Sequence, residues 1–191
     1  MFQKLTARLT SVSPILLHSG QMIDPRNEFA RAMKVVSSKR MKTDADFEEM
    51  ARIEWTAGLY LRDGRIVLPS EVIEAALVSA AKKARGGKAA QAGLFCENDA
   101  PLIFADADKS PEELWAMGKT YAWGAPVRVG QARVIRTRPR FDEWAAEIAL
   151  TFDDGLMNRQ AVIDTLKVCG DQIGLCDWRP KYGRFAVEVL S

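Results

Sequence analysis

The stretch from Ile173 to Ser191, IGLCDWRPKYGRFAVEVLS, constrains the fold most. It leaves an amphipathic helical pattern and passes through Gly174, Asp177-Trp178-Arg179-Pro180 and Lys181-Tyr182-Gly183-Arg184. It closes as a strand, Phe185 to Leu190. A loop of this composition, held between a helix and a strand, can lay backbone N–H groups and cations against phosphate. Trp178 and Tyr182 can stack on a base or on a neighbouring subunit. The same residues also describe a tight turn whose tryptophan covers the core.

Upstream, Leu5, Ala7 and Leu9 alternate with Thr6, Arg8 and Thr10, the pattern of a half-buried strand. Residues 21–43 show no clean period and open on the turn signal Asp24-Pro25, so they read as an exposed excursion. A short helix is expected over residues 44–52, then a hairpin from Ile53 to Leu68 around Asp63-Gly64. Residues 70–85 give the firmest helix. Ser70 suits its N-cap, Glu71 and Glu74 suit its first turn, Lys82, Lys83 and Arg85 suit its last, and Gly86-Gly87 ends it. Short strands follow near Leu94–Cys96 and Leu102–Phe104, and Pro111 opens a brief helical turn. The segment from Pro126 to Phe141 reads as one arginine-rich strand, and Glu147 to Phe152 as another. A helix spans about Asn158 to Cys169.

The major elements therefore run strand, helix, strand, strand, helix, strand. This is the α+β, ferredoxin-like βαββαβ order: an antiparallel sheet with two helices on one face, as in RNA-recognition domains. The 191 residues are read as a single domain with an inserted arm at about 21–68 after the first strand. The sheet's second face is expected to be open, framed by the first and last strands, with the arginine-rich strand presenting its guanidinium groups outward.

Net charge is only +2, so affinity for a polyanion must come from clustered cations. Two clusters stand out. Arg31, Lys34, Lys39, Arg40 and Lys42 lie in the excursion with no acid among them, and Arg128, Arg133, Arg136, Arg138 and Arg140 lie in the strand region, again with none. Arg136, Arg138 and Arg140 share one face of an extended strand and can make bidentate contacts along a phosphate backbone. A solvated edge strand protected by its charges has the same composition. Cys96, Cys169 and Cys176 make neither a disulfide framework nor a metal motif, so a reducing cytoplasm, no metal and no cofactor are expected. No apolar run approaches the roughly 18–20 residues of a membrane span, and MFQKLTARLT lacks a signal-peptide core. No P-loop, dinucleotide-binding or serine-hydrolase motif is present.

Three places resemble the RAMP superfamily, whose ferredoxin-like proteins line up along guide RNA in CRISPR effector complexes. The first strand runs into His18-Ser19-Gly20. Ile66-Val67-Leu68-Pro69-Ser70 leads into the helix Val72–Ala81. Gly174 to Val187 is similar to the family's glycine-rich loop and final strand. The loop has fewer glycines than is usual there, no glycine follows Pro69, and Glu71 and Glu74 stand near a region where the family often carries cations. Those departures fit a stand-alone or phage-encoded relative.

The resemblance implies a non-enzymatic binder of single-stranded nucleic acid, RNA ahead of DNA. It would form a homo-oligomer along its ligand or serve as a subunit of a larger ribonucleoprotein. Arg136, Arg138 and Arg140 would neutralise phosphates; Trp178, Arg179, Lys181, Tyr182 and Arg184 would clamp the strand or a neighbour. Two alternatives follow from the same resemblance. One is an endoribonuclease using His18 as general acid or base, or Asp24 beside a metal ion. The other is an interaction module, such as a viral inhibitor copying such a subunit.

Overall fold

The computed structural model describes residues 1–191, except for the side chain of Val129. The chain begins with β1 (Phe2–Ser11), β2 (Ile15–Leu16), a 3-10 turn (Gly20–Ile23), α1 (Glu28–Ser37) and α2 (Asp44–Gly58). It continues through β3 (Leu61–Arg62), β4 (Arg65–Leu68), α3 (Ser70–Lys83), α4 (Gly87–Gly93), β5 (Leu94–Cys96) and β6 (Ala100–Pro101). Then come α5 (Pro111–Ala116), β7 (Ala122–Val129), β8 (Ala132–Phe141), β9 (Ala145–Asp153), α6 (Arg159–Val168) and β10 (Phe185–Val189). The class is α+β with antiparallel sheets. Two compact units result: residues 1–16, 61–107 and 141–191 form one, residues 17–60 and 108–140 the other.

The first unit is built on a sheet of order β10-β1-β9-β5, with every neighbouring pair antiparallel. Alternation puts Leu5, Ala7 and Leu9 of β1 in the core with Ile148, Leu150 and Phe152 of β9 and Phe185 of β10, all at most 2 % exposed. The helices α3 and α6 pack on each other, α3 also against β5 and α6 against β10. They bring Ile73, Ala76, Leu77, Val162 and Leu166 into the same core. Each of the larger side chains, Ile73, Leu77, Val162 and Leu166, adds about 1.5–3 kcal/mol when fully buried. The cap of α3 is Pro69 rather than Ser70, whose N–H instead donates to Asp99 Oδ1 at 2.9 Å.

The arginine-rich strand is not part of this sheet. Gly130, at φ +60°, turns the chain back on itself. The expected single strand is therefore the hairpin β7–β8, and the short β5 takes the fourth place in the sheet. Three residues are too few for alternation to be visible. The sheet's outer face is charge-balanced rather than basic. Lys4 pairs with Glu97 and Arg8 with Glu147, each at 2.8 Å, and Glu188 stands opposite Arg8 across β1–β10.

The expected hairpin from Ile53 to Leu68 is present only around Asp63-Gly64, where β3 pairs antiparallel with β4, while residues 53–58 instead continue the helix α2 of the second unit to Gly58. Thr43 and Asp46 form a reciprocal capping box that sets its start. Ile53, Glu54, Trp55, Ala57 and Gly58 are all buried, so no polar face marks the period there. The excursion likewise contains a helix, α1, in which Phe29, Met33 and Val36 are half-buried at helical spacing and no residue is fully buried. The helices α1 and α2 pack together. Trp55 anchors this unit: its indole N–H donates to the Tyr121 carbonyl at 2.7 Å, and its ring lies 5.7 Å from that of Trp115.

Candidate nucleic-acid interface

After α6 the chain makes a wide turn, Cys169–Ile173, and enters the loop at Gly174. Three glycines shape this passage. Gly174 and Gly183 have φ of +74° and +72°, where a side chain is strained. A Cβ on Gly183 would lie 2.0 Å from the Leu175 carbonyl oxygen, and one on Gly170 would lie 2.1 Å from that of Phe185. Backbone thus approaches backbone where no side chain fits. Gly170 went unnoticed in the sequence; its signal was a lone glycine at the end of a helical run.

The loop is pinned to the corner after β1. The Leu175 N–H donates to the Gly183 carbonyl at 2.9 Å, Gly183 N–H to Pro14 at 2.8 Å and Asp177 N–H to Leu16 at 3.0 Å. The Arg184 N–H donates to Ser13 Oγ at 3.0 Å. Leu175 is the buried foot of the loop. At its crest Trp178, Arg179, Lys181 and Arg184 are exposed and Tyr182 is half-buried. The Trp178 and Tyr182 rings stand 6.2 Å apart, and Lys181 Nζ lies 5.6 Å from the Tyr182 ring centre. One carboxylate is close, Asp177, which accepts the Trp178 N–H. Two flat rings and three cations on one braced turn suit a base and its flanking phosphates.

On β8, Arg136, Arg138 and Arg140 alternate with buried Thr137, Pro139 and Phe141, so the three do share a side of the strand. Their environments differ. Arg136 donates to Glu54, a carboxylate only 5 % exposed, whose second oxygen accepts the Thr137 N–H at 2.9 Å. Arg136 is thereby committed to a carboxylate of its own unit, which removes it from the expected row of phosphate ligands. Arg128 and Arg133 face each other across the hairpin near its tip.

The basic excursion divides in two. Arg31 and Lys34 are exposed along α1, and Arg40 follows it, also exposed. Lys39 pairs with Asp46 at 2.5 Å, and Lys42 Nζ donates to the Lys39 carbonyl at 2.9 Å, so both brace the turn into α2. Beside Lys39, and accepting the Thr43 N–H, the Asp46 carboxyl is lowered to about 2.

His18 is exposed, and its carbonyl accepts the Tyr60 hydroxyl at 3.0 Å. Asp24 is engaged by Arg26 through two guanidinium contacts of 3.1 Å, which hold its carboxyl below the usual range. That arrangement is an exposed turn whose carboxylate is already held as an anion by its own arginine. Among the described residues no three His, Cys, Asp or Glu side chains come together as a metal site, and no helix is long and apolar enough to cross a membrane. Burial pushes the Cys96 thiol up to about 11 and Cys169 to about 12, which keeps both protonated and unreactive at neutral pH. No protein-family model matches the chain, and neither does any curated protein.

Proposed function

We propose that this chain is a non-enzymatic binder of single-stranded nucleic acid, RNA before DNA, working in side-by-side assemblies. We read its first unit as a ferredoxin-like domain of RAMP type. The sheet order, with the first strand beside the last, supports the fold reading. The observation that carries the function is the braced loop at 174–184, which holds Trp178, Arg179, Lys181 and Arg184 out to solvent. Trp178 and Tyr182 stack bases; Arg179, Lys181 and Arg184 neutralise phosphates. The balanced outer face of the sheet is left out of the ligand's path.

Fluorescence anisotropy with labelled oligouridine tests this. Trp178→Ala should weaken binding by about 1–3 kcal/mol, the value of one base–aromatic stack. Replacing Arg179, Lys181 and Arg184 together with alanine should flatten the salt dependence by about two units of slope, at about 0.7 per phosphate contact. Wild-type affinity and slope in both variants would remove the loop from the interface.

A further inference from the structure

The edge of β5 and the outer side of β8 beyond its short pairing are treated differently, and the difference identifies a second binding surface. On the sheet edge at β5, Glu74 of α3 reaches over and accepts the Cys96 N–H at 2.8 Å. A carboxylate placed there blunts the edge against further pairing. On the outer side of β8 the Pro139 carbonyl already accepts the Leu17 N–H at 3.0 Å and Glu54 accepts the Thr137 N–H, but the cover stops at Thr137. The Thr137 N–H points away from β7, whereas the Arg140 N–H points towards it, to the Tyr121 carbonyl. Residues at odd positions of β8 therefore aim their backbone groups outward. Ile135 is one of them, and its partner across the hairpin, Pro126, has no N–H to offer in any case.

Alongside this edge lies a cleft of about 550 Å³. One wall is a stripe of α2 at helical spacing, Phe47, Met50, Ala51 and Glu54; the other is residues 134–137 of β8. A helix stripe set beside an open strand edge is the geometry into which an extended peptide fits as an added strand. The backbone groups of Ile135 supply hydrogen bonds and the helix stripe takes alternate side chains. Phe47 is 57 % exposed and Ile135 64 % exposed, apolar groups where a protected edge would carry lysine.

The charge at the open end specifies the occupant further. Arg128 and Arg133 stand directly opposite each other, an arrangement that like charges disfavour without a counter-ion. Among the described residues neither has a carboxylate partner; Arg128 Nε donates to the Gly130 carbonyl at 3.0 Å. The one acid of α2 that lines the cleft, Glu54, is engaged by Arg136, and elsewhere on the helix Asp46 is held by Lys39 and Glu49 by Arg52. We propose that the cleft between α2 and the outer edge of β8 takes up an extended segment of a protein partner, apolar along its length and acidic at the end that meets Arg128 and Arg133. Glu54 sets the inner limit of that strand, because it already holds the next outward N–H.

The experiment is fluorescence polarisation of the full chain with a labelled peptide of alternating valine and threonine that ends in two glutamates, beside a version ending in two lysines. The expected result is saturable binding of the acidic peptide, about tenfold tighter than the lysine peptide. Arg133→Glu should remove or invert that preference. Ile135→Pro deletes an outward N–H without touching the β7 ladder and should weaken binding about tenfold, the value of one to two hydrogen bonds. Phe47→Lys, an exposed wall substitution, should do the same and serves if the proline variant misfolds by circular dichroism. Absence of saturable binding by either peptide overturns the proposal, as does unchanged affinity in Phe47→Lys. Self-association lost in Ile135→Pro, with no peptide bound, would assign the edge to a second copy of the chain. Weakened oligouridine binding in Arg133→Glu, with no peptide bound, would assign it to nucleic acid. Either result rejects the peptide reading.

Discussion

Gly183→Ala isolates the close approach that shapes the C-terminal loop, and Gly64→Ala supplies its control. Both glycines lie in the same unit with nearly equal φ, +72° and +75°. A methyl on Gly64 meets nothing within 4 Å, so it costs only the left-handed conformation, about 1–2 kcal/mol. A methyl on Gly183 pays the same and also lands 2.0 Å from the Leu175 carbonyl oxygen and 2.7 Å from its nitrogen. Backbone cannot yield by rotating a side chain, so the strands of the loop must part. Parting them breaks the Leu175–Gly183 and Gly183–Pro14 hydrogen bonds, at about 1 kcal/mol each, and loosens Leu175, which is 1 % exposed. Gly183→Ala should therefore destabilise by about 3 kcal/mol more than Gly64→Ala. Urea unfolding followed by circular dichroism reads this as a lower midpoint at unchanged slope. Equal midpoints for the two variants would refute the steric argument and, with it, the claim that the loop is rigidly braced.

Other outcomes follow from the second unit. Glu54→Ala strands the Thr137 N–H in the core and should cost about 2–4 kcal/mol in the same assay, discounted because Arg136 is partly solvated. Glu54→Gln, which keeps an acceptor for that N–H, should recover at least half of the loss. For Asp46 the folded carboxyl lies at about 2, below its ordinary value of 3.8, so its contribution is present above that value and fades as pH falls from about 4 to 2. The protection factor against hydrogen exchange in the first turn of α2, which divides out the intrinsic pH dependence of exchange, should fall across that window in the wild type. Asp46→Asn should exchange at a pH-independent excess there, and an identical pH profile in both would exclude the Lys39–Asp46 pair as the cause.

Elements with one buried and one wet face were legible before any coordinates. The alternation of Leu5, Ala7 and Leu9, the apolar stripe of α3 and the run Phe185–Val189 each appear where their periods put them. Asn158, a good capping residue, does cap α6 by accepting the Ala161 N–H. The reading failed for two different reasons. Residues 53–58 are buried apart from Thr56, so the contrast on which a period is read is missing there. Helix α1, by contrast, does carry a helical period in Phe29, Met33 and Val36 that the turn signal and the run of cations around it obscured.

What the sequence by itself determined is a set of local facts: which segments extend or coil, that 174–184 is glycine-hinged, cationic and aromatic, and that Arg136, Arg138 and Arg140 share a side. Only the tertiary structure decided that the arginines belong to a separate hairpin, that Arg136 answers to Glu54, and that a three-residue strand completes the sheet. The reason lies in how strands choose neighbours. Alternation along a strand encodes which face is wet, whereas its partner is selected by edge hydrogen bonds and packing among residues tens of positions away, about which a run of side chains in one segment is silent.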